Sequence, residues 1–193
     1  MTASAGINPS PTLRPRVVGK FLQCDSLHYL VKGVSYGTFA PDGAGNQFPD
    51  STTVKQDFTL MRKSGVNTVR TYTVPPSSVL DEAARQQLKM IVGVPWAQHV
   101  AFLDDRRLIR NIRRSLTEQV RRVANHPSVL LCALGNEIPP NVVRWHRYQR
   151  IEKFLHELYD DAKYHSPDTL LTYVNYPPTH FLELPWFDIC AFN

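Results

Sequence analysis

The sequence has no long apolar run and few cysteines. No apolar stretch in its 193 residues approaches the ~18 that a membrane-spanning helix needs, and the first twenty residues lack the apolar core of a signal peptide. Cys24, Cys132 and Cys190 have no metal-ligand spacing, and two of them lie in apolar strand-like runs, where a buried, reduced thiol is expected. We therefore expect no metal site, and a location in the cytoplasm or at the cytoplasmic face of a membrane.

Phosphate-binding motifs are also absent. Gly33 and Gly37 border the turn after the first predicted strand, but their spacing is not GxGxxG, and no P-loop occurs anywhere in the sequence. The common nucleotide-binding classes of α/β protein therefore have no support here.

The net charge of +5 comes mostly from one arginine-rich segment. Its apolar residues recur with a helical period, which places the arginines on the outer face of an amphipathic helix. No fold signature of a nucleic-acid-binding protein accompanies this helix, so we expect no nucleic-acid partner. A solvated helix face is the simplest interpretation, and docking to a partner or an anionic membrane is the alternative. The arginines are Arg106, Arg107, Arg110, Arg113, Arg114, Arg121 and Arg122.

Strands and helices are predicted to alternate along the chain. The predicted strands are 29–36, 66–71, 89–94, 129–134, 170–174 and 187–192, and the predicted helices are 51–64, 77–87, 108–124 and 142–164. Residues 1–16, rich in Ser, Pro and Thr, are predicted to be a disordered lead-in or linker, followed by one domain over 17–193. Alternation of this kind indicates βαβ units and a parallel sheet.

Polar and aromatic residues follow several of these strands. A ring of such side chains at the carboxyl ends of successive strands is typical of the active site of a (β/α)8 (TIM) barrel, so we favour a barrel over a doubly wound sheet. About six of the eight strands are present. The strand-end residues are Tyr36, Arg70, Tyr72, Trp96, His99, Asn136, Glu137, Asn175, Tyr176 and Asn193.

The segment 129–137 is the most informative of these strand ends. Six apolar residues run without a break from Val129 to Leu134 and stop at Gly135, Asn136 and Glu137. This pattern predicts a strand buried on both faces, with Asn136 and Glu137 where a catalytic acid is expected. A solvated loop carboxylate is the alternative role for Glu137.

The motifs resemble the retaining glycoside hydrolases of the family 2-like clan, which includes β-galactosidases and β-glucuronidases. They are Val31-Lys-Gly-Val34, Gly65-Val-Asn-Thr-Val-Arg70-Thr, Gly135-Asn-Glu137 and Asp188-Ile-Cys-Ala-Phe-Asn193. Four further segments make the chain similar to bacterial barrels that are fused to a membrane-associated family 2 glycosyltransferase. They begin at Tyr36, Arg70, Gly93 and Gly135. The resemblance covers roughly 17–193.

The resemblance implies a carbohydrate substrate, no cofactor, and a fused glycosyltransferase with membrane segments in the parent protein. It implies that Glu137 is the general acid/base, that Asn136 contacts the sugar 2-hydroxyl, and that Arg70 keeps the nucleophile ionised. Sugar stacking is expected of four aromatic residues, whose alternative role is packing at the rim, and His99 is expected to contact a hydroxyl or to be incidental. The four are Tyr36, Tyr72, Trp96 and Tyr176, and Asn175 and Asn193 complete the predicted substrate-binding residues.

A retaining mechanism needs a second carboxylate, which in the resembling families follows strand seven. This sequence stops after the sixth predicted strand, and none of its other acidic residues occupies the required place, so we interpret it as a C-terminally truncated, inactive piece of a glycosidase or transglycosylase. The residues considered are Asp42, Asp50, Asp104, Glu183 and Asp188. The alternative functions are a non-catalytic carbohydrate-binding or scaffold domain, and docking through the arginine-rich helix.

Overall fold

The computed structural model describes residues 14–24, 27–43, 45 and 47–193. Six parallel strands alternate with helices through most of this range, as the sequence predicts. The strands are β4 (Gly33–Ser35), β5 (Thr68–Thr71), β6 (Lys89–Gly93), β7 (Val129–Asn136), β8 (Leu171–Asn175) and β9 (Ile189–Phe192). The helices are α1 (Ser51–Lys63), α2 (Ser77–Arg85), α3 (Arg106–Val123), α4 (Pro140–His146) and α5 (Tyr148–His165).

The order of strands in the sheet distinguishes the two folds considered above. Each strand pairs in parallel with the next strand along the chain, in the order β4-β5-β6-β7-β8-β9. In a doubly wound sheet the strand order reverses at a switch point, whereas in a barrel each strand lies beside the next one in a constant direction. The observed order is that of a (β/α)8 barrel, with β4 and β9 as the outer strands of the described part.

Helix boundaries follow local sequence signals. The side chain of Asp50 accepts from the backbone of Thr52 and Thr53 at the start of α1, and Asp105 caps α3 in the same way. Such caps satisfy backbone N–H groups that lack partners within the helix. The apolar residues of α3 face the sheet, with Leu116 and Val120 fully buried, and six of the seven arginines named above are exposed as predicted. Arg113 differs from the prediction, because it is only partly exposed and forms ion pairs with Glu157 and Asp161 of α5.

Two features differ from the sequence-based prediction. The single helix predicted over 142–164 is two helices, because Arg147 between them has a φ of 68° that no α-helix accommodates. A small antiparallel sheet, β1 (Arg16–Val18), β2 (Phe21–Cys24) and β3 (Leu27–His28), precedes the barrel and was not predicted. Residues 1–13 of the predicted lead-in lie outside the described residues, whereas Arg16 is the first residue of β1.

The small sheet covers the amino-terminal end of the parallel sheet. Cys24 of β2 packs with Leu130, Leu131 and Leu170, and Tyr29 donates a hydrogen bond from its hydroxyl to the Asn67 carbonyl at 2.8 Å. The opposite, carboxyl end remains open to the predicted site. Among the helices of the described ranges, none is long and apolar enough to cross a membrane.

Candidate functional site

Alternate strands of the barrel bring three polar residues together at its carboxyl end. Arg70 lies near the end of β5, Asn136 ends β7, and Asn193 directly follows β9. In a (β/α)8 barrel, the side chains of one interior layer come from alternate strands. Arg70, Asn136 and Asn193 are therefore neighbours in space despite their distance in the sequence.

Hydrogen bonds connect this layer to Glu137. The Arg70 guanidinium donates to Asn193 Oδ1 and to Asn136 Oδ1, each at 2.6 Å. Asn193 Nδ2 donates to Glu137 Oε1 at 2.6 Å and to Asn136 Oδ1 at 3.2 Å. The four side chains form one network, in which an amide group holds one oxygen of the Glu137 carboxylate.

An irregularity at the end of β7 turns Asn136 and Glu137 towards the site. The register between β7 and β8 shifts between Ala133 and Asn136, and Gly135 there has a φ of 143°. Such irregularities change which face of a sheet a side chain occupies. Glu137 itself has a φ of 53°, which costs a non-glycine residue about 1–2 kcal/mol and is typical of functional positions.

Buried side chains hold this backbone conformation in place. Gln98 accepts a hydrogen bond from the Asn136 N–H at 3.1 Å and donates another to the carbonyl of the same residue. The hydroxyl of Tyr173 accepts from the Ile138 N–H at 2.7 Å, and burial raises the pKa of this phenol. The orientation of Glu137 therefore depends on residues before and after it in the chain.

A cavity of about 190 Å³ lies beside the network. Five predicted site residues line it, and the rest of its lining comes from β5, β6, β7 and the loop after β6. Tyr72 lies under the Arg70 guanidinium, whose central carbon is 4.7 Å from the ring centroid, a cation–π arrangement. The predicted residues in its lining are Arg70, Tyr72, Trp96, His99 and Asn136.

Tyr176 is electrostatically coupled to the acid. Its pKa is raised, mainly by burial and secondarily by the negative charge of Glu137. Tyr176 therefore belongs to the surroundings of Glu137, although it does not line the cavity. Its predicted stacking role stays a prediction.

The structure gives two predicted substrate-binding residues other roles. Tyr36 is buried, its hydroxyl donates to Asp57 at 2.6 Å, and its ring packs against Phe58, so it has no open face for a sugar. Asn175 is also buried. Its side chain accepts from Thr179 and donates to the carbonyl of that residue, which stabilises the turn after β8. Both side chains serve the packing of their loops.

The indole of Trp96 is also held by its surroundings. Its N–H donates to the Leu134 carbonyl at 2.9 Å, and its ring meets Phe102 and Phe154 edge to face. Trp96 still lines the cavity, so its observed role is to form part of the cavity wall. Gln98 was missed by the sequence analysis, because a lone glutamine in a polar loop carries no pattern that distinguishes it.

The network leaves several groups available to a ligand. Within the described residues, Glu137 Oε2 and Asn136 Nδ2 make no protein hydrogen bond, and Arg70 has no carboxylate partner. A carboxyl group, an amide donor and a cation thus converge beside an open cavity. This set can transfer a proton, donate to a hydroxyl and stabilise a nearby negative charge.

The fold and the site define a (β/α)-barrel domain with an Asn–Glu pair and an arginine at the carboxyl end of its sheet. Residues 27–189 match the sequence profile of one family, described as glycosyl hydrolases family 2, TIM barrel domain, and the chain belongs to this family. No curated protein matches the chain in sequence.

Solved structures with the same fold include bacterial β-glucuronidases. The enzyme from Ruminococcus gnavus in complex with D-glucuronic acid has a TM-score of 0.77 and 18% identity, over 93% of this chain and 30% of the other. The enzyme from Faecalibacterium prausnitzii has a TM-score of 0.73 and 23% identity, over 89% and 29%. The chain thus spans less than a third of the length of these enzymes.

Proposed function

We propose that this chain provides the acid/base part of the active site of a retaining glycoside hydrolase or transglycosylase acting on β-linked oligo- or polysaccharides. The supporting observation is the network in which Asn193 holds one oxygen of Glu137 and Arg70 orients Asn136. Glu137 is the general acid/base. Its second oxygen is available to donate a proton to the glycosidic oxygen.

The proposed reaction has two steps. Glu137 gives its proton to the glycosidic oxygen while a second carboxylate attacks the anomeric carbon, so the glycosidic bond breaks and a glycosyl-enzyme ester forms. Glu137, now a carboxylate, then takes a proton from water or an acceptor sugar, whose oxygen attacks the same carbon and releases the second carboxylate. The Asn136 amide donates to the 2-hydroxyl.

We propose that the second carboxylate lies on a seventh strand beside β9, about 5–5.5 Å from Glu137. Arg70 supports this position, because it has no carboxylate partner among the described residues and a cation keeps a nearby carboxylate ionised. Intact-mass measurement of the natural polypeptide, with sequencing of its message beyond codon 193, tests this part of the proposal.

The catalytic role is tested by Glu137→Gln in the natural polypeptide. Glutamine has the shape of glutamate but cannot transfer the proton, so turnover of aryl β-glycosides with poor leaving groups should fall about 10²–10⁴-fold. Substrates whose leaving groups need no protonation should show a much smaller loss of rate in the first step. Glu183→Gln is the matched control, because Glu183 is exposed away from the network. Equal activity of Glu137→Gln and the control would refute the assignment.

One observation favours a second candidate function. The hydrogen bonds and ion pairs of the described residues bring a single carboxylate, Glu137, to the network. A carbohydrate-binding or scaffold domain needs no second carboxylate. Sugar binding without turnover of any aryl glycoside by the natural polypeptide would favour this function over the hydrolase.

The fusion to a glycosyltransferase with membrane segments, and a location at the cytoplasmic face, are also proposals. They rest on the motifs that begin at Tyr36, Arg70, Gly93 and Gly135. Such a protein would trim or remodel the polysaccharide that its transferase makes. Membrane fractionation and the mass of the natural polypeptide test both points.

A further inference from the structure

Three large aromatic side chains are exposed on the carboxyl end of the barrel. Trp145 is 70% exposed, and Tyr148 and Phe181 are each 45% exposed. Trp145 belongs to α4, which begins three residues after Glu137, and Phe181 follows the turn after β8. We call Trp145, Tyr148 and Phe181 the aromatic ridge.

The rings of the aromatic ridge are fixed by specific contacts. The Trp145 indole N–H donates to Asp104 Oδ2 at 2.6 Å, so the polar atom of the ring already has a partner. Tyr148 and Phe181 meet edge to face, with ring centroids 6.3 Å apart and planes at 87°. These contacts hold the rings while leaving much of their apolar surface in water.

The position of the aromatic ridge matters more than the exposure of any one ring. Single exposed apolar residues are common. Tyr164, for example, is 84% exposed although it lies at the far end of α5, away from the aromatic ridge. The ridge instead gathers three rings from two loops at the end of the barrel that carries Glu137. Exposed apolar surface grouped in this way marks an interaction site.

The chemistry of the aromatic ridge suits a sugar chain. A pyranose ring presents C–H groups on its faces, which pack on the electron-rich face of an aromatic ring, while its hydroxyls remain in water or bind polar neighbours. The ring of His180 lies 6.2 Å from that of Phe181, and the Arg144 side chain is exposed on α4. Both can bind hydroxyl groups at the edge of a stacked sugar.

The length of α4 relates the position of the aromatic ridge to that of Glu137. Seven helical residues rise about 10 Å, so α4 carries Trp145, its sixth residue, away from the strand end at which the helix begins. A sugar chain that contacts Glu137 can cross the segment that follows this residue, which carries Trp145 and Tyr148. A carbohydrate is therefore favoured over a protein or a second copy of the chain as the occupant.

We propose that the aromatic ridge binds the sugar units of a β-linked oligosaccharide beyond the unit at Glu137, which selects long substrates over short ones. This inference rests on the proposed function, because it assumes that the cavity beside Glu137 holds a sugar. The ridge thereby provides extended subsites, and Trp145 is its anchor.

Calorimetric titration tests the proposal. The ligands are β-linked oligosaccharides of glucose, galactose, N-acetylglucosamine and glucuronic acid, each from two to six units long, and the protein carries Glu137→Gln so that no ligand is consumed. Affinity for at least one sugar should rise with length. Trp145→Ala or Phe181→Ala should weaken binding of the hexasaccharide about tenfold, which corresponds to about 1.4 kcal/mol, and should reduce the ratio of hexasaccharide to disaccharide affinity.

Two variants control for structural damage. Tyr164→Ala removes a ring that is even more exposed, at the other end of α5, and should leave binding unchanged. Trp145→Phe keeps an aromatic face but loses the hydrogen bond to Asp104, so it should retain most of the affinity that Trp145→Ala loses. Unchanged urea denaturation of each variant shows that the fold is intact.

The outcomes separate this proposal from the proposed function. The role of the aromatic ridge would be overturned if no oligosaccharide bound, if affinity did not depend on length, or if Trp145→Ala and Tyr164→Ala lost the same affinity. Self-association through the ridge in sedimentation experiments would overturn it as well. Length-dependent binding that needs the ridge, in a protein without turnover of aryl glycosides, would keep the ridge and overturn the hydrolase. Turnover that depends on Glu137 but is unaffected by the ridge variants would keep the hydrolase and overturn the role of the ridge.

Discussion

Replacing Gly135 with alanine should destabilise the protein and displace the site. The backbone of Gly135 has a φ of 143°, which costs a residue with a Cβ about 1–3 kcal/mol. The new Cβ would also lie 3.1 Å from Trp96 Nε1, 3.2 Å from Gln98 Oε1 and 3.3 Å from Tyr173 Cδ2, and such crowding costs about 1–3 kcal/mol. Together the two effects predict a loss of about 2–6 kcal/mol in the free energy of unfolding.

Urea denaturation measures this loss, and Gly65→Ala is the matched control. Gly65 also has a positive φ, 82°, but a Cβ there meets no atom within 4 Å, so only the backbone cost of about 1–2 kcal/mol applies. Because both variants carry the cost of a positive φ, most of the difference between them reports the crowding around Gly135. If Gly135→Ala were no less stable than Gly65→Ala, the packing of these three side chains around the strand end would be wrong.

Three further predictions concern buried groups. Gln98→Leu should lower the free energy of unfolding by about 2–6 kcal/mol in urea, because it leaves two backbone groups without partners, whereas Gln119→Leu on the surface of α3 should cost about 0.5 kcal/mol or less. Burial, the largest cause, lowers the pKa of His146 below 6.5, so the unfolded chain binds a proton at this histidine more tightly than the folded protein does. The free energy of unfolding should therefore fall as pH drops below 6.5. His146→Gln should reduce this pH dependence, and equal pH profiles of the two proteins would contradict the prediction. Burial also raises the pKa of the Cys132 thiol to about 12, so a thiol reagent at pH 8 should leave Cys132 unlabelled until the protein unfolds, as peptide mapping would show.

The barrel could be predicted because hydrophobic patterns report burial directly. The unbroken apolar run of β7 indicates a strand covered on both faces, and the apolar spacing of α3 indicates which face contacts the sheet. The position of Glu137 followed from the end of that run. In contrast, the break at Arg147 depends on one backbone angle, which no local pattern specifies.

The exact roles of the strand-end residues could not be predicted in the same way. A strand-end tyrosine or asparagine has the same appearance in a sequence whether it faces a cavity or a neighbouring loop. Tyr36 faces Asp57, and Asn175 faces Thr179, because of where those partners lie in three dimensions. The expectation of a buried thiol is confirmed for Cys132 but is wrong for Cys190, because alternate residues of the outer strand β9 are exposed.

The network around Glu137 also has a consequence for how the protein is made. Its hydrogen bonds join Arg70 to Asn136 across 66 positions of the chain, and to Asn193 across 123 positions. Chains emerge from the ribosome amino-terminal end first, and contacts between distant positions close late because of their entropy cost. Arg70 and Glu137 are therefore synthesised well before the amide that holds the carboxylate. The network can therefore close only after β9 has been made, because Asn193 directly follows that strand.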